Sequence, residues 1–274
     1  MKENNHQKKI FFTDLDGTLL NQEKIITPDT RAALEAWVSS GHHFAVCTGR
    51  ALDSAMEVRR TLRLDFPGMF LIGSNGGEIY DCDNDCIVSR IALTMEQTAL
   101  VSRVAKECGI HCHTYTDTHI ISPADDEQLH YYCRVIRTPV IICEDIVSAL
   151  DKGPCKCIAI ELHDKDKLEN FRKALLPLTE GALNLLYSND RYLEIFPAAS
   201  GKGSAVKTLC GFLHIPVCNA LAAGDEANDI SMIQAAGIGI AMLNATEAVK
   251  EAADVITAAD NNHDGLAAVL LRNL

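Results

Sequence analysis

The chain contains no apolar stretch approaching the roughly 20 residues a helix needs to span a bilayer, so an integral helical membrane protein is not expected. Bases are in deficit, 25 against 37 acids, for a net charge of -12. A field of that sign repels nucleic-acid backbones and anionic membrane surfaces. A small phosphorylated metabolite survives as a partner class, because only the local field in its cleft must be positive. Proline is scarce, with 8 residues in 274, and no repeat, low-complexity run or Pro/Gly/Ser-rich linker interrupts the chain. The start, Met1 to Lys9, is polar and runs directly into a strand, which predicts no secretion signal and a cytoplasmic protein, monomeric or weakly homo-oligomeric.

Cysteine, by contrast, is plentiful. The 11 residues are odd in number and unaccompanied by a secretion signal, so they read as reduced thiols. Cys82 with Cys86, and Cys108, His111, Cys112 and His113, raise the idea of zinc. They lack the clean paired spacing of structural zinc sites, and buried, hydrophobe-like thiols are the favoured reading. The length accommodates a large core and, more naturally, two domains.

The most informative segment is Ile10-Phe11-Phe12-Thr13-Asp14-Leu15-Asp16-Gly17-Thr18-Leu19, an apolar, β-prone run ending in two acids one residue apart. Carboxylates about 6 Å apart repel by about 3 kcal/mol at an effective dielectric near 20. Such a pair is either solvated at a loop start or held around a hard divalent cation such as Mg²⁺. Phe44-Ala45-Val46-Cys47-Thr48-Gly49-Arg50 repeats the pattern of a strand ending in polar groups. Ser200-Gly201-Lys202-Gly203 opens a helical pattern, and Asn219 to Asp229 is a third apolar run ending in acids. Ser200–Ser204 is not a nucleotide-binding loop: Gly203 stands where that motif needs Ser or Thr after the lysine.

In chain order these segments give D-L-D-G-T, T-G-R, K and G-D-x-x-N-D, which resembles the four motifs of the haloacid dehalogenase-like phosphatases. The turn Ser74-Asn75-Gly76-Gly77 and the tail Gly237 to Ala245 resemble the Cof-type branch, whose cap is inserted after the third core strand. Leu243 stands where that branch usually has Gly, which leaves the local backbone near Asn244 open. The resemblance covers nearly the whole chain.

Strands alternating with helices, as over residues 10–73 and again after 202, imply a parallel sheet covered on both faces. Thr27-Pro28-Asp29 reads as a helix start with a hydroxyl N-cap. Between them the alternation loosens. The expected architecture is α/β: a Rossmann-like parallel-sheet core of residues 1–81 and 191–274, with an inserted α+β cap domain over 82–190. Asp14/Asp16, Thr48 and Asp225 each close an apparent strand, and in open α/β sheets ligands sit beyond those ends.

The resemblance then implies roles. Asp14 is the nucleophile that forms an aspartyl-phosphate, and Asp16 is the acid that protonates the leaving alcohol and then activates water. Mg²⁺ is held by Asp14, the Asp16 carbonyl and Asp225. Phosphate is bound by Lys202, Thr48, Asn228 and the main chain at Leu15 and Gly49, with Asp229 a partner of Lys202 or of the metal. Arg50 reaches substrate or pairs with an acid, Asn244 is unassigned, and Glu226 reads as a solvated helix start. The expected activity is Mg²⁺-dependent hydrolysis of small phosphomonoesters, sugar phosphates being the favoured class. A phosphomutase using the same intermediate is the alternative enzyme. A phospho-accepting signalling module fits less well, since it needs neither Asp16 nor a cap.

Overall fold

The computed structural model describes residues 8–134 and 136–274. The polar segment 1–7, on which the reading of no secretion signal largely rests, lies outside the described residues. No helix among them is long and apolar enough to cross a membrane. The chain forms two compact units, one of Met1–Arg50, Ala55–Ser89 and Gly201–Leu274, the other of Ala51–Ser54 and Arg90–Ser200.

The first unit is built on an eight-stranded sheet in the order Val255–Ile256, Ile238–Ala241, Ala220–Gly224, Ile10–Thr13, His43–Cys47, Met69–Gly73, Glu78–Asp81 and Cys86–Arg90. The first six strands are parallel, and Glu78–Asp81 turns back antiparallel to Met69–Gly73. All four residues of Ile10–Thr13 are buried, as expected of a central parallel strand with both faces covered. On one face Ile10 and Phe12 pack with Ala45, Val206, Leu209 and Met232. On the other, Phe11 meets Trp37 edge-on at 6.3 Å and stacks with Phe44 at 6.0 Å.

Register decides what gathers at the top of this sheet. Thr13 lies opposite both Ala223 and Val46. The residues just beyond, Asp14, Asp225 and Thr48, therefore emerge side by side from strands distant in sequence. The helix Pro28–Ser39 begins as the sequence suggests, but Thr27 does not cap it with its own side chain. Asp264 does so instead, accepting from the Thr30 N–H at 2.9 Å.

The second unit is an α+β layer on a six-stranded sheet: Leu183–Asn189, Tyr192–Pro197, Cys157–Ile160, His111–Tyr115, Ile120–Ser122 and Val140–Ile142. Its helices Met95–Glu107 and Lys165–Leu175 bury Val101, Val104, Leu168 and Phe171 against Cys112, Cys157 and Leu193. Both expected boundaries move. Cys86–Arg90 closes the edge of the large sheet instead of opening the insert, and Tyr192–Pro197 pairs with Cys157–Ile160 in the small one. The divisions fall at Ser89/Arg90 and Ser200/Gly201, not at 81/82 and 190/191.

Period-two alternation along His111–Tyr115 separates the residues that suggested zinc. Cys112 joins the helix-covered core. His111 and His113 enter a buried hydrogen-bonded row from Asp126 (2.8 Å) through His111, His113 (3.1 Å) and Tyr115 (3.3 Å) to Tyr132 (2.5 Å).

Candidate active site

Every residue proposed for chemistry lies in the first unit. Asp14 is buried at the end of its strand, and its Oδ1 accepts from Lys202 Nζ at 2.5 Å. Lys202 opens the helix Lys202–Phe212 and is 1 % exposed. Its ammonium also donates to Asp229 Oδ1 at 2.6 Å. The other Asp229 oxygen accepts the backbone N–H groups of Asp225 and Glu226, both at 3.0 Å. Asp229 thus ties the lysine to the loop carrying Asp225, and Glu226 stands exposed at the start of the short helical turn, as a solvated residue should.

Asp14, Asp225 and Asp229 bring carboxylate oxygens within 4.8 Å of one another. Three buried acids face one ammonium there. Burial pushes the Asp14 carboxyl up to about 7 against the pull of Lys202, with Asp229 adding to the rise. Burial likewise raises Asp225 to about 6, partly offset by the Thr18 hydroxyl, which donates to it at 2.6 Å. The all-oxygen donor set that these acids offer suits a hard divalent ion. The residues present fit Mg²⁺.

The Asp16 side chain stands apart from these three acids. Its carboxylate is gripped by Arg50, through Nε at 2.9 Å and Nη2 at 2.8 Å, and by Lys24 at 2.8 Å. These cations hold its carboxyl below the usual range in spite of partial burial. The repulsion inferred from the sequence is therefore relieved by separate cations, Lys202 for Asp14 and Arg50 with Lys24 for Asp16. Arg50 pairs with an acid, which resolves its two readings in this structure.

Gly17 is required by geometry. Its φ is +90°, and a Cβ there would come within 2.2 Å of Asp225 Oδ2. The Asn244 side chain fixes the same loop by donating to the Gly17 carbonyl at 2.8 Å. Leu243 beside it keeps a negative φ and donates its N–H to Thr257 Oγ1 at 2.9 Å, so the turn does without a glycine.

Thr48 is buried, and its Oγ1 accepts from the Arg50 N–H at 3.2 Å. Leu15 points its side chain into the core, leaving only its main chain for any ligand. Asn228 donates to Asn75 Oδ1 at 3.3 Å. Thr18, Lys24 and Asn75 were not singled out from sequence. Thr18 and Asn75 had signals, their places in the D-L-D-G-T segment and in the Ser74–Gly77 turn; the contact of Lys24 with Asp16 is set only in the folded chain.

A lysine shared between a strand-end aspartate and a second acid, beside a further buried carboxylate, makes this end of the α/β sheet the candidate active site. The chain belongs to the haloacid dehalogenase-like hydrolases, whose family model matches residues 11–270, and it is a phosphoric monoester hydrolase. It is similar to the 5-amino-6-(5-phospho-D-ribitylamino)uracil phosphatase YwtE of Bacillus subtilis, with 32% identity over 94% of this chain and 96% of the relative. It is also similar to a Bacillus subtilis protein described as a putative phosphatase, YxeH, with 27% identity over 93% and 94% of the two chains. Among solved structures, a haloacid dehalogenase-like hydrolase from Bacteroides thetaiotaomicron matches with a TM-score of 0.87 and 28% identity, covering 98% of this chain and all of that one.

Proposed function

We propose that the protein hydrolyses small phosphomonoesters, sugar and polyol phosphates first among them, through an aspartyl-phosphate on Asp14. The observation that carries this reading is the Asp14–Lys202–Asp229 row, with Asp14 buried at the strand end and its carboxylate aligned by an ammonium at 2.5 Å. Asp14 attacks phosphorus, and the ester oxygen leaves as the alcohol. Asp16, partly exposed, delivers the proton to that oxygen and later takes one from water. Release from Arg50 and Lys24 is then part of its cycle, because a carboxylate so paired is a poor acid. Lys202 neutralises charge on the phosphoryl oxygens, and Thr48, Asn228 and the main chain at Leu15 and Gly49 donate hydrogen bonds to them.

Asp14, Asp225 and the Asp16 carbonyl are the residues that would hold Mg²⁺, with Asp229 kept for Lys202. When bound, the ion supplies charge compensation between an anionic nucleophile and a phosphate dianion. The unit of residues 90–200 is read as the cap that selects the leaving group, which supports compact substrates over folded phosphoproteins.

The test is a panel of phosphorylated metabolites, including the phosphoribityl compound in the relative's name, assayed for orthophosphate with Mg²⁺ and again with EDTA. Release of orthophosphate from several small esters, abolished by EDTA, is the expected result. An isomeric phosphate ester in place of orthophosphate would instead indicate a mutase, and full activity in EDTA would remove the metal assignment.

A further inference from the structure

The turn Ser74–Gly76 lies against three parts of the site at once. Ser74 and Asn75 are consecutive non-glycine residues in the left-handed region, with φ of 51° and 54°. That is a conformation side chains seldom adopt twice running, and asparagine is among the few residues that tolerate it. The arrangement gives the turn two parallel anchors. The Ser74 N–H donates to the Arg50 carbonyl at 2.7 Å, and the Asn75 N–H donates to the Thr48 carbonyl at 3.0 Å. The carbonyls on either side of Gly49 are thereby held. The Asn75 side chain lies directly on Gly49, where a Cβ would come within 3.2 Å of its Oδ1. The same Oδ1 accepts from Asn228 Nδ2 at 3.3 Å. Gly76, with φ +96°, abuts the residue before Lys202: a Cβ there would meet the Gly201 carbonyl at 2.3 Å.

From this juxtaposition we propose that Asn75 is a positioning residue for phosphoryl transfer, whose side-chain carbonyl orients the Asn228 amide while its main chain holds the Thr48–Arg50 loop. An amide nitrogen carries two hydrogens. Engaging one of them on Asn75 fixes the plane of the Asn228 amide and with it the direction of the second. A backbone-only role for the turn makes a different forecast, because glycine adopts the left-handed region at no steric cost. This proposal rests on the reading of Asn228 as a phosphoryl ligand.

The experiment is a double-mutant cycle in the full-length protein, with kcat/KM for a small phosphomonoester and the urea midpoint measured on the same samples. Asn75→Gly keeps the turn and removes the side chain. It is expected to lower kcat/KM roughly tenfold, the scale of one misdirected hydrogen bond to a charged group. Asn228→Ala is expected to cost at least as much, and the double variant no more than Asn228→Ala alone. Wild-type kcat/KM in Asn75→Gly, or losses that multiply in the double variant, would overturn the proposal.

Asn75→Asp keeps the acceptor and the tolerance for the turn, so it covers the case in which the glycine variant fails to fold. In it kcat/KM should exceed that of Asn75→Ala, which lacks the acceptor, and a loss as large as that of Asn75→Ala counts against the role of the Oδ1 acceptor. Asp14→Asn runs alongside. If it is inactive while Asn75→Gly is wild type, only the Asn75 proposal falls; if it is as active as wild type, the reading of the site falls and takes the proposal with it.

Discussion

At the scale of single residues, the site is a set of acids that share few cations: Lys202 serves Asp14 and Asp229, while Arg50 and Lys24 hold Asp16. Lys202 sits between Asp14 and Asp229 with no solvent access, so its loss strands two buried carboxylates. Removing one partner from a buried ion pair typically costs about 3–5 kcal/mol of stability. Lys202→Ala is therefore expected to lower the urea midpoint as well as kcat, the latter by up to ~10³-fold if an ion pair of up to ~4 kcal/mol is wholly spent on the transition state. Asp14→Asn keeps the shape and a hydrogen-bond acceptor for Lys202 but no nucleophilic charge; it should fold and be inactive. Thr18 acts one step further out. Its hydroxyl holds Asp225 at 2.6 Å, and such supporting contacts around metal ligands are worth about 10- to 100-fold in affinity. Thr18→Val should shift the Mg²⁺ concentration for half-maximal activity upward by that factor while leaving kcat at saturating Mg²⁺ within a few-fold of wild type. An unchanged Mg²⁺ titration would remove Asp225 from the ligand set.

At the scale of elements, what could be read from sequence was the strand that ends in a functional group. Ile10–Thr13 and Ala220–Gly224 are buried throughout, almost wholly apolar, and followed by acids, as central strands covered on both faces can be. Register, capping and sheet membership are set by partners remote in sequence, and there the reading erred. Thr27 has the residue type of an N-cap, yet Asp264, from just before the last helix, takes the role. Asp264→Ala should cost about 1 kcal/mol, the usual worth of a cap, read from the urea midpoint. Cys86–Arg90 is partly exposed and carries no central-strand pattern, so its place at the edge of the large sheet was hidden. Asn75 lies in a turn that the sequence marks, but composition does not announce its left-handed geometry.

The buried row of His111, His113, Tyr115 and Tyr132 is likewise visible only in the fold, and it carries a pH dependence. Burial holds His111 below its ordinary range although Asp126 pulls upward, and holds His113 well below, with His111 and Lys156 adding to the fall. As pH drops below the unfolded histidine value of about 6.5, the unfolded chain takes up protons that the folded chain refuses. This contribution to stability is thus whole above that pH and is lost progressively below it. Hydrogen exchange, corrected for intrinsic rates, should show His111–Tyr115 losing protection between about pH 7.5 and about pH 5.5 more than Ile10–Thr13 does. Equal changes in the two strands would contradict this.

At the scale of the molecule, the chain combines an α/β unit that carries all of the candidate chemistry with an α+β unit inserted between residues 89 and 201. Motif order alone was enough to read the family, the fold class and the reaction type. The inserted unit was recognised by the loss of strand–helix alternation, which is why its existence was legible and its edges were not. It has its own sheet, its own buried apolar clusters and its own buried polar row.

That chemistry is the central claim, and its most direct test is chemical trapping of the intermediate. Enzyme at high concentration is mixed with a small phosphomonoester and Mg²⁺, quenched in acid within the first turnover, and treated with borohydride, which reduces an acyl phosphate to the alcohol. Peptide mass spectrometry should then find homoserine at position 14 in wild type and none in Asp14→Asn. Rapid wild-type turnover with residue 14 still aspartate at every quench time, or homoserine at another acid, would contradict covalent catalysis by Asp14.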